Sequence, residues 1–321
     1  MEQTLPTTAS ARESMPRGRH ARIPFDFGEG FRGKVLRDEP MSRHTTYRIG
    51  GPARWFITVE SLDALSRTLR ECARQDVDWT VVGQGSNLLV ADSGYDGAVL
   101  VLSGEFKQWS FDEEGLRFSA GAALSLARIV QEAYHLGLSG LEFAVGTPGS
   151  LGGALRMNAG NRTEWIGSRV VSVTTFGLKH GLHRYLSQDI TWEYRCSSLP
   201  ADEVIVECEL ACTRGQVVRI QQDMEAALRR RKEHQPLGAP SCGSVFRNPD
   251  DASAGDLIEQ CGLKGHTVGG AQISPVHANF IVNTGEARAE DVAALIKIAR
   301  DEVMRVHGIE LQPEVRFLGF A

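Results

Sequence analysis

The chain is predicted to fold as an α+β protein built from three consecutive units. Strand-like apolar runs alternate with segments of helical periodicity along most of the sequence. About 42% of the 321 residues are hydrophobic, which is enough for a sizeable core. The 34 glycines against 12 prolines are typical of many tight turns. A globular protein is therefore expected, and fully disordered and collagen-like chains are excluded.

The first unit, residues 41–103, alternates strands with one helix. Ser61 precedes leucines at helical spacing, and a serine at this position accepts hydrogen bonds from the first turn of a helix. Strands are predicted at residues 53–60, 79–82, 88–91 and 98–102. The unit is therefore of α/β type.

The second unit, residues 104–213, repeats this mixture. Its helix is predicted from Ser125 to His135, where Gly137 ends it. A long loop of small residues is predicted over 140–160, and strands are predicted from 116, at 170–176 and at 204–213.

The third unit, residues 214–308, is predicted to begin with the helix Val217–His234, which Pro236 ends. A helix at 253–261, a strand at 279–283 and a long amphipathic helix closed by Gly308 follow. In the C-terminal segment 309–321, the tail Ile309–Gly319 is predicted to be a final strand. Residues 1–40 are predicted to be a flexible extension, and a structured arm packed on the body is the alternative.

Composition and charge exclude several function classes. The 35 basic and 40 acidic residues give a net charge of −5, so a nucleic-acid partner is not expected. No apolar run has the ~20 residues of a membrane span, and the N-terminus lacks the apolar core of a signal peptide. The six cysteines form no CxxC pair, which disfavours a metal site and a disulfide framework. Reduced thiols and a cytoplasmic location are expected.

Two glycine-rich segments are candidates for binding. In Val81–Ala91, a strand ends in Gly83-Gln84-Gly85, whose backbone N–H groups can cradle a pyrophosphate. The segment is neither a dinucleotide fingerprint nor a P-loop, and a plain tight turn is the alternative. Gly146–Gly160 combines glycines with apolar residues that need burial. This pattern favours close approach to a cofactor, and a flexible linker is the alternative.

Three further residues are candidates for chemistry. Ser244 lies in a Gly-Ser turn that is not a nucleophile elbow, so it is either a proton donor or a turn residue. Arg195, in Glu193–Ser197, can grip a carboxylate. The arginine run Leu228–Lys232 is either a solvated helix face or an anion contact, and Glu314 is by default an ion-pair partner.

Taken together, these segments resemble the UDP-N-acetylenolpyruvoylglucosamine reductase family. The resemblance rests on HTTYRIGGPA (44–53), VVGQGSNLLVADSGYDG (81–97), GLEFAVGTPGSLGGALRMNAG (140–160), EYRCSS (193–198), PSCGSVFRNP (240–249), AGDLIEQCGLKGHTVGGAQISPVHANFIVN (254–283) and PEVRFLG (313–319). The segments occur in this order and cover nearly everything from residue 40 onward. Without a long insertion between Tyr185 and Tyr194, the chain is similar to the shorter subtype, which lacks an extra tyrosine-bearing loop.

The resemblance implies an FAD-binding region of two α/β subdomains, of the PCMH type, and a C-terminal α/β substrate-binding domain. The FAD-binding region would span 41–213, and residues 309–321 would return to the flavin. It implies non-covalent FAD, held by Gly83, Gln84, Gly85, Ser86, Asn87 and Leu88 and by Gly146, Thr147, Gly149, Ser150, Gly153 and Asn158. It places the catalytic positions on Arg195, Ser244 and Glu314 and the substrate contacts on Tyr194, Lys232, Asn248 and His277.

The implied activity is NADPH-dependent reduction of the enolpyruvyl group of UDP-N-acetylglucosamine enolpyruvate in peptidoglycan precursor synthesis. The implied partners are the UDP-sugar and NADPH, and the implied enzyme is a cytoplasmic monomer without a metal. Ser244 would protonate C2, while Arg195 and a protonated Glu314 would stabilise the developing negative charge. Two alternatives stay open at this point: an oxygen-reacting oxidase with the same FAD-binding architecture, and a non-catalytic nucleotide-sugar sensor.

Overall fold

The computed structural model describes residues 25–161 and 163–320. The first unit is a four-stranded sheet covered by one helix, and its elements are β1 (Gly33–Pro40), β2 (Pro52–Val59), α1 (Leu62–Arg74), β3 (Trp79–Val81), β4 (Leu88–Val90) and β5 (Tyr95–Leu102). The strand order is β1-β2-β5-β3, with β2 and β3 parallel to β5 and β1 antiparallel to β2. Ser61 caps α1 as predicted, because its side chain accepts from the N–H of Ala64.

The second unit is built on a five-stranded antiparallel sheet. Its elements are β6 (Trp109–Asp112), β7 (Arg117–Gly121), α2 (Leu126–His135), β8 (Leu138–Ser139), α3 (Leu151–Arg156), β9 (Val170–Gly177), β10 (Gly181–Leu186), β11 (Trp192–Glu193), β12 (Cys196–Ser197), β13 (Val204–Ala211) and β14 (Thr213–Arg214). The sheet order is β10-β9-β13-β7-β6, and the short strands form the pairs β11–β12 and β14–β8. The predicted helix at 125–135 is confirmed, with Ser125 as its cap.

The third unit contains α4 (Val217–His234), α5 (Ala254–Gln260), β15 (Thr267–Val268), β16 (Ala271–Ile273), β17 (Ile281–Asn283), α6 (Ala289–His307) and β18 (Arg316–Leu318). The helix α4 has the predicted bounds, and α6 ends at Gly308, whose φ of 68° is left-handed as the glycine there predicts. Strands β15, β16 and β17 form a small antiparallel sheet. The final strand β18 lies parallel to β4, so the C-terminus returns to the strand that follows the Gly83–Leu88 turn.

Three predictions differ from the structure. The prediction of a flexible extension over 1–40 is wrong for residues 33–40, which form β1. Hydrogen bonds to β2 hold this strand, and Phe25, which precedes it, stacks on Trp55. Residues 1–24 lie outside the described residues. The predicted loop 140–160 contains the helix α3, because Ser150 caps it and Leu151 and Leu155 are buried on it. The tail is shorter as a strand than predicted.

The hydrophobic core lies in two main parts. One part joins the first two units across α1 and α2, and Met224 of α4 packs against it. The other surrounds α5 and α6 and also takes in Tyr47, Ile49 and Leu89 from the first unit. The boundary at residue 214 stays a prediction; the packing of α4 against the second unit favours a boundary after this helix.

Candidate active site

The Gly83–Leu88 turn connects β3 to β4 and is fixed by the segment that precedes β2. Gly85 has a φ of +62°, which favours glycine, and a Cβ at this position would lie 2.2 Å from the carbonyl oxygen of His44. The N–H of Thr46 donates to the carbonyl of Gly85 over 3.3 Å. The turn is therefore held from one side by backbone, and only a glycine fits at Gly85.

The other side of the turn faces the loop before α3. The Oε1 atom of Gln84 accepts from the N–H of Gly149 over 3.0 Å, and the hydroxyl of Ser86 donates to the carbonyl of Pro148 over 3.4 Å. A Cβ on Gly83 would lie 2.3 Å from Oγ of Ser150. The two glycine-rich segments thus form one continuous surface.

The backbone N–H groups of this surface fit an anion. Within residues 25–161 and 163–320, the N–H groups of residues 83–87 donate to no protein acceptor. A run of free N–H groups at the end of a strand is a nest for phosphate oxygens. These residues therefore fit the diphosphate of a dinucleotide cofactor such as FAD. The side chain of Asn87 instead donates to the carbonyl of Glu314 over 3.2 Å, which joins the turn to the C-terminal segment.

The loop that begins at Gly146 is fixed by α4. Gly146 has a φ of +69°, and a Cβ there would lie 3.2 Å from Leu228. The guanidinium of Arg231 donates to the hydroxyl of Thr147 over 2.9 Å. At the other end of the loop, Oγ of Ser150 accepts from the N–H of Gly153. The helix α4 therefore positions the loop that the resemblance assigns to the flavin.

Arg231 is a half-buried cation that the sequence predictions did not single out within the arginine run. Burial lowers the pKa of its guanidinium, and no charged neighbour within the described residues opposes this effect. Its buried Nε has no hydrogen-bond partner in that part of the chain. The adjacent Lys232, which is a predicted substrate contact, is exposed. The arginine run signalled an anion contact, but its pattern does not reveal which member faces the loop.

Asn158 has a different structural role from the predicted flavin contact. Its Nδ2 donates to the carbonyl of Glu193 over 2.9 Å, and its Oδ1 accepts from the N–H of Gly167 over 3.0 Å. The side chain is buried, and its φ is +42°. Asn158 therefore ties the end of the glycine-rich loop to the residues just before Arg195. A cofactor contact of its side chain stays a prediction.

Arg195 and Glu314 form an ion pair between two distant segments. The Nε atom of Arg195 lies 2.7 Å from Oε1 of Glu314, and the two side chains are 20% and 12% exposed. A second guanidinium nitrogen donates to the carbonyl of Gly160 over 3.1 Å, and the guanidinium lies 5.1 Å from the ring centre of Tyr194. The backbone of Arg195 has a φ of +58°, a strained value for a residue with a side chain. Contacts on several sides therefore fix this arginine.

The carboxyl group of Glu314 is shifted toward its protonated form. Burial raises the pKa of this carboxyl, while the guanidinium groups of Arg195 and Arg247 partly oppose the shift. Part of the Glu314 population therefore carries a proton at a higher pH than an ordinary glutamate would.

The Ser244 turn lies against the same C-terminal segment. Gly243 has a φ of +82° and starts the turn. Directly after Ser244, the carbonyl of Val245 accepts from the N–H of Glu314 over 2.7 Å, and the N–H of Arg247 donates to the carbonyl of Gln312 over 2.9 Å. The structure therefore brings together the segments of Arg195, Ser244 and Glu314, which are far apart in the sequence.

The predicted substrate contacts have different surroundings. Tyr194 is half exposed beside Arg195. Oδ1 of Asn248 accepts from the N–H of Ala254 at the start of α5, over 3.0 Å. Burial lowers the pKa of His277, and its Nδ1 accepts from the N–H of Asn279. The neutral ring can then offer a donor at Nε2.

Two family models match the chain. The FAD binding domain model matches residues 53–176, and the model of the UDP-N-acetylenolpyruvoylglucosamine reductase C-terminal domain matches residues 235–318. The first range includes the Gly83–Leu88 turn and the Gly146 loop. The second includes Ser244 and Glu314 and begins after α4. Among the described helices, none has the length and apolar character needed to cross a membrane.

Relatives and one solved structure agree with these matches. The chain is 43% identical over 291 residues to the UDP-N-acetylenolpyruvoylglucosamine reductase of Heliobacterium modesticaldum, which covers 90% of this chain and 92% of the relative. It is 41% identical over 290 residues to the enzyme of the same name from Moorella thermoacetica, covering 90% and 95%. The crystal structure of this reductase from Thermus caldophilus superposes with a TM-score of 0.77 at 36% identity, covering 89% of this chain and 99% of that one.

Proposed function

Because the chain belongs to the UDP-N-acetylenolpyruvoylglucosamine reductase family, we propose that Arg195, Ser244 and Glu314 are the catalytic residues of this reductase. The protein is an FAD-dependent oxidoreductase, a UDP-N-acetylmuramate dehydrogenase. It reduces the enolpyruvyl group of UDP-N-acetylglucosamine enolpyruvate with NADPH, a step of peptidoglycan precursor synthesis that serves cell wall biogenesis, cell shape and cell division. The remaining question is how this chain's own residues do so.

One observation carries the assignment of the catalytic residues. The Arg195–Glu314 ion pair is 2.7 Å long, and the backbone of Glu314 is hydrogen-bonded to the residue after Ser244. A cation is therefore paired with a carboxyl group of raised pKa, and the backbone that follows Ser244 is bonded to the residue that carries this carboxyl. Perturbed titratable groups that meet in this way favour a catalytic role.

The cofactor site is proposed on the two glycine-rich segments. The free N–H groups of residues 83–87 would bind the diphosphate of FAD, and the loop from Gly146 to Ser150 would lie along the flavin. Gly153 and Leu88 would complete this surface. Arg231, which has no charged partner in the described chain, is added to the predicted set as a cation facing the cofactor loop. FAD held there would supply the redox chemistry that links NADPH to the enolpyruvyl ether.

Arg195 and Glu314 act on the carboxylate end of the substrate. Hydride addition at C3 pushes negative charge through C2 onto the substrate carboxylate. The fixed guanidinium of Arg195 stabilises this charge without having to reorganise, which is the efficient form of electrostatic catalysis. A protonated Glu314 donates a hydrogen bond to the same group, and its raised pKa favours this protonation state.

Ser244 completes the reaction by delivering a proton to C2. Hydride at C3 and a proton at C2 together give the lactyl ether, and the serine then regains its proton from water. A serine hydroxyl is a weak acid in water, so neighbouring groups would have to stabilise its conjugate base. Proton delivery from one fixed side of C2 sets the configuration of the lactyl group.

The substrate and its surroundings complete the proposal. Tyr194, Lys232, Asn248 and His277 are proposed to contact the sugar nucleotide, with the exposed Lys232 supplying a point charge. We propose that the enzyme works as a monomer in the cytoplasm, in line with a nucleotide-linked substrate. Nucleic acid is not among the proposed partners because the net charge is −5.

Anaerobic flavin spectroscopy tests the proposed function. Purified protein is expected to be yellow, to bleach on addition of NADPH and to regain its colour when the enolpyruvyl sugar nucleotide is added. Recovery of the colour with oxygen but not with the sugar nucleotide would favour an oxidase of the same architecture. Binding of the sugar nucleotide without any flavin reoxidation would favour a non-catalytic sensor.

A further inference from the structure

The segment that follows Ser244 is held on both sides by hydrogen bonds. On one side lies the C-terminal segment, to which Val245 and Arg247 are bonded as described above. On the other side the N–H of Val245 donates to the carbonyl of Asn279 over 2.8 Å. Residues 245–247 therefore lie between two segments, as a central strand does. The sequence around Ser244 does not predict the pairing with Asn279.

The side chain of Asn279 continues this pairing. Its Oδ1 accepts from the N–H of Phe246 over 2.9 Å, and its Nδ2 donates to the carbonyl of Phe246 over 2.8 Å. One amide side chain thus satisfies both polar groups of one residue, as a neighbouring strand would. Asn279 is only 3% exposed, so water does not compete for these bonds.

The hydrogen bonds of residues 245 and 246 fix the register between Ser244 and Glu314. Glu314 is bonded through its N–H to Val245, and Asn279 is bonded to Val245 and Phe246. A slip of one residue in an extended segment moves the backbone by about 3.3 Å and reverses the side-chain direction. Asn279 opposes such a slip because its amide matches the peptide groups of Phe246 alone.

We infer that Asn279 is a positioning residue that holds the Ser244 hydroxyl in register with Glu314. The inference rests on the proposed role of Ser244 as the proton donor. Asn279 acts through the backbone of residues 245 and 246 and touches neither cofactor nor substrate in this account. Its effect is therefore confined to the step that needs the Ser244 proton.

The first test compares two buried asparagines of the same core. Asn279→Ala is expected to slow reoxidation of the reduced flavin by the sugar nucleotide about 10- to 100-fold, the cost of a small misplacement of a catalytic group. Reduction of the flavin by NADPH should stay at the wild-type rate. Asn283→Ala is the matched control, since Asn283 is also buried but bonds to Tyr47, Gly285 and Ala287. It should lower the melting temperature without slowing reoxidation.

The second test separates positioning from general loss of structure. In the Ser244→Ala background, Asn279→Ala should cause no further slowing of reoxidation, because the group that it positions is gone. Asn279→Asp keeps the acceptor oxygen and loses the donor, so it should slow reoxidation less than Asn279→Ala. This conservative variant provides a folded alternative if the alanine variant does not fold.

The outcomes distinguish this inference from the proposed function. Equal slowing of both half-reactions by Asn279→Ala, or equal effects of Asn279→Ala and Asn283→Ala, would overturn the positioning role while leaving Ser244 as proton donor. An additive effect in the double variant would overturn it as well. Wild-type reoxidation in Ser244→Ala alone would instead overturn the proposed function.

Discussion

Replacing Gly85 by alanine tests the cofactor cradle with a single methyl group. A Cβ at Gly85 would lie 2.2 Å from the carbonyl oxygen of His44 and 2.8 Å from Cα of Thr45, both of which are backbone atoms. Ordinary van der Waals contact begins at 3.4 Å, so the turn must move by about 1 Å to relieve the overlap. A left-handed φ adds ~1–2 kcal/mol of strain for a residue with a side chain.

The movement of the turn should be seen mainly in FAD binding. A shift of about 1 Å misaligns the N–H groups of residues 83–87, and the loss of two charge-assisted hydrogen bonds costs ~3 kcal/mol. The dissociation constant of FAD should therefore rise about 100-fold. Equilibrium dialysis of the reconstituted apoprotein measures this constant, and the flavin absorbance per polypeptide reports cofactor content after purification.

Gly181→Ala is the matched control for this substitution. Gly181 has a similar φ of +70° in the β9–β10 turn, but nothing lies within 4 Å of a Cβ built there. It should therefore carry the backbone strain without the clash and should keep a wild-type affinity for FAD. If Gly85→Ala binds FAD as tightly as Gly181→Ala does, the Gly83–Leu88 turn is not the phosphate cradle.

Three further predictions concern the surroundings of the site. Reoxidation of the flavin by the sugar nucleotide should slow as the pH rises through the raised pKa of Glu314, because the protonated carboxyl donates the hydrogen bond to the substrate carboxylate. Glu314→Gln should flatten this pH profile. A profile that this substitution leaves unchanged would contradict the role of Glu314 as a hydrogen-bond donor. Arg231→Met should weaken FAD binding about 10-fold, whereas Arg230→Met, on the exposed face of α4, should leave FAD binding unchanged. Equal affinities for FAD in the two variants would contradict a contact between Arg231 and the cofactor. Cys196, which is exposed next to Arg195, should be the fastest of the described thiols to be alkylated. The sugar nucleotide should slow this alkylation, as measured by mass spectrometry, if Cys196 lies beside the bound substrate. An unchanged alkylation rate would contradict a position beside the substrate.

The other described cysteines should react more slowly than Cys196, because burial raises the pKa values of their thiols. Burial raises the pKa of Cys72 and of Cys242 to about 12 and that of Cys212 to about 11. A thiol must lose its proton to act as a nucleophile, so these groups are inert at neutral pH. Cys208 is also buried, and partial burial raises the pKa of the half-buried Cys261.

Local signals made much of the fold predictable from the sequence. Ser61 and Ser125 were recognisable as helix caps, and the bounds of α4 followed from its periodicity and from Pro236. The strand β1 could not be predicted in this way, because it is stabilised by pairing with β2 and its own residues do not indicate that pairing. The helix α3 was hidden by the glycines that make its surroundings resemble a loop.

The three proposed catalytic residues were suggested by motifs in the sequence. Arg195, Ser244 and Glu314 came from matched motifs, and the structure places their segments in contact. Asn279 and Arg231 could not be predicted in the same way, since their roles depend on which backbone or loop they face in the folded protein. An amide that pairs with a distant peptide group has no signature in the local sequence.

Separate measurement of the two half-reactions in Ser244→Ala tests the central claim most directly. The substitution removes one hydroxyl and leaves the Gly243 turn and the pairing of Val245 in place, so folding and FAD content should be retained. Anaerobic stopped flow should show reduction of the flavin by NADPH at close to the wild-type rate. Reoxidation by the enolpyruvyl sugar nucleotide should be ~10²–10⁴-fold slower, the usual cost of losing a positioned general acid. Equal slowing of both half-reactions, or wild-type reoxidation, would contradict the account and leave Ser244 as a residue of the turn.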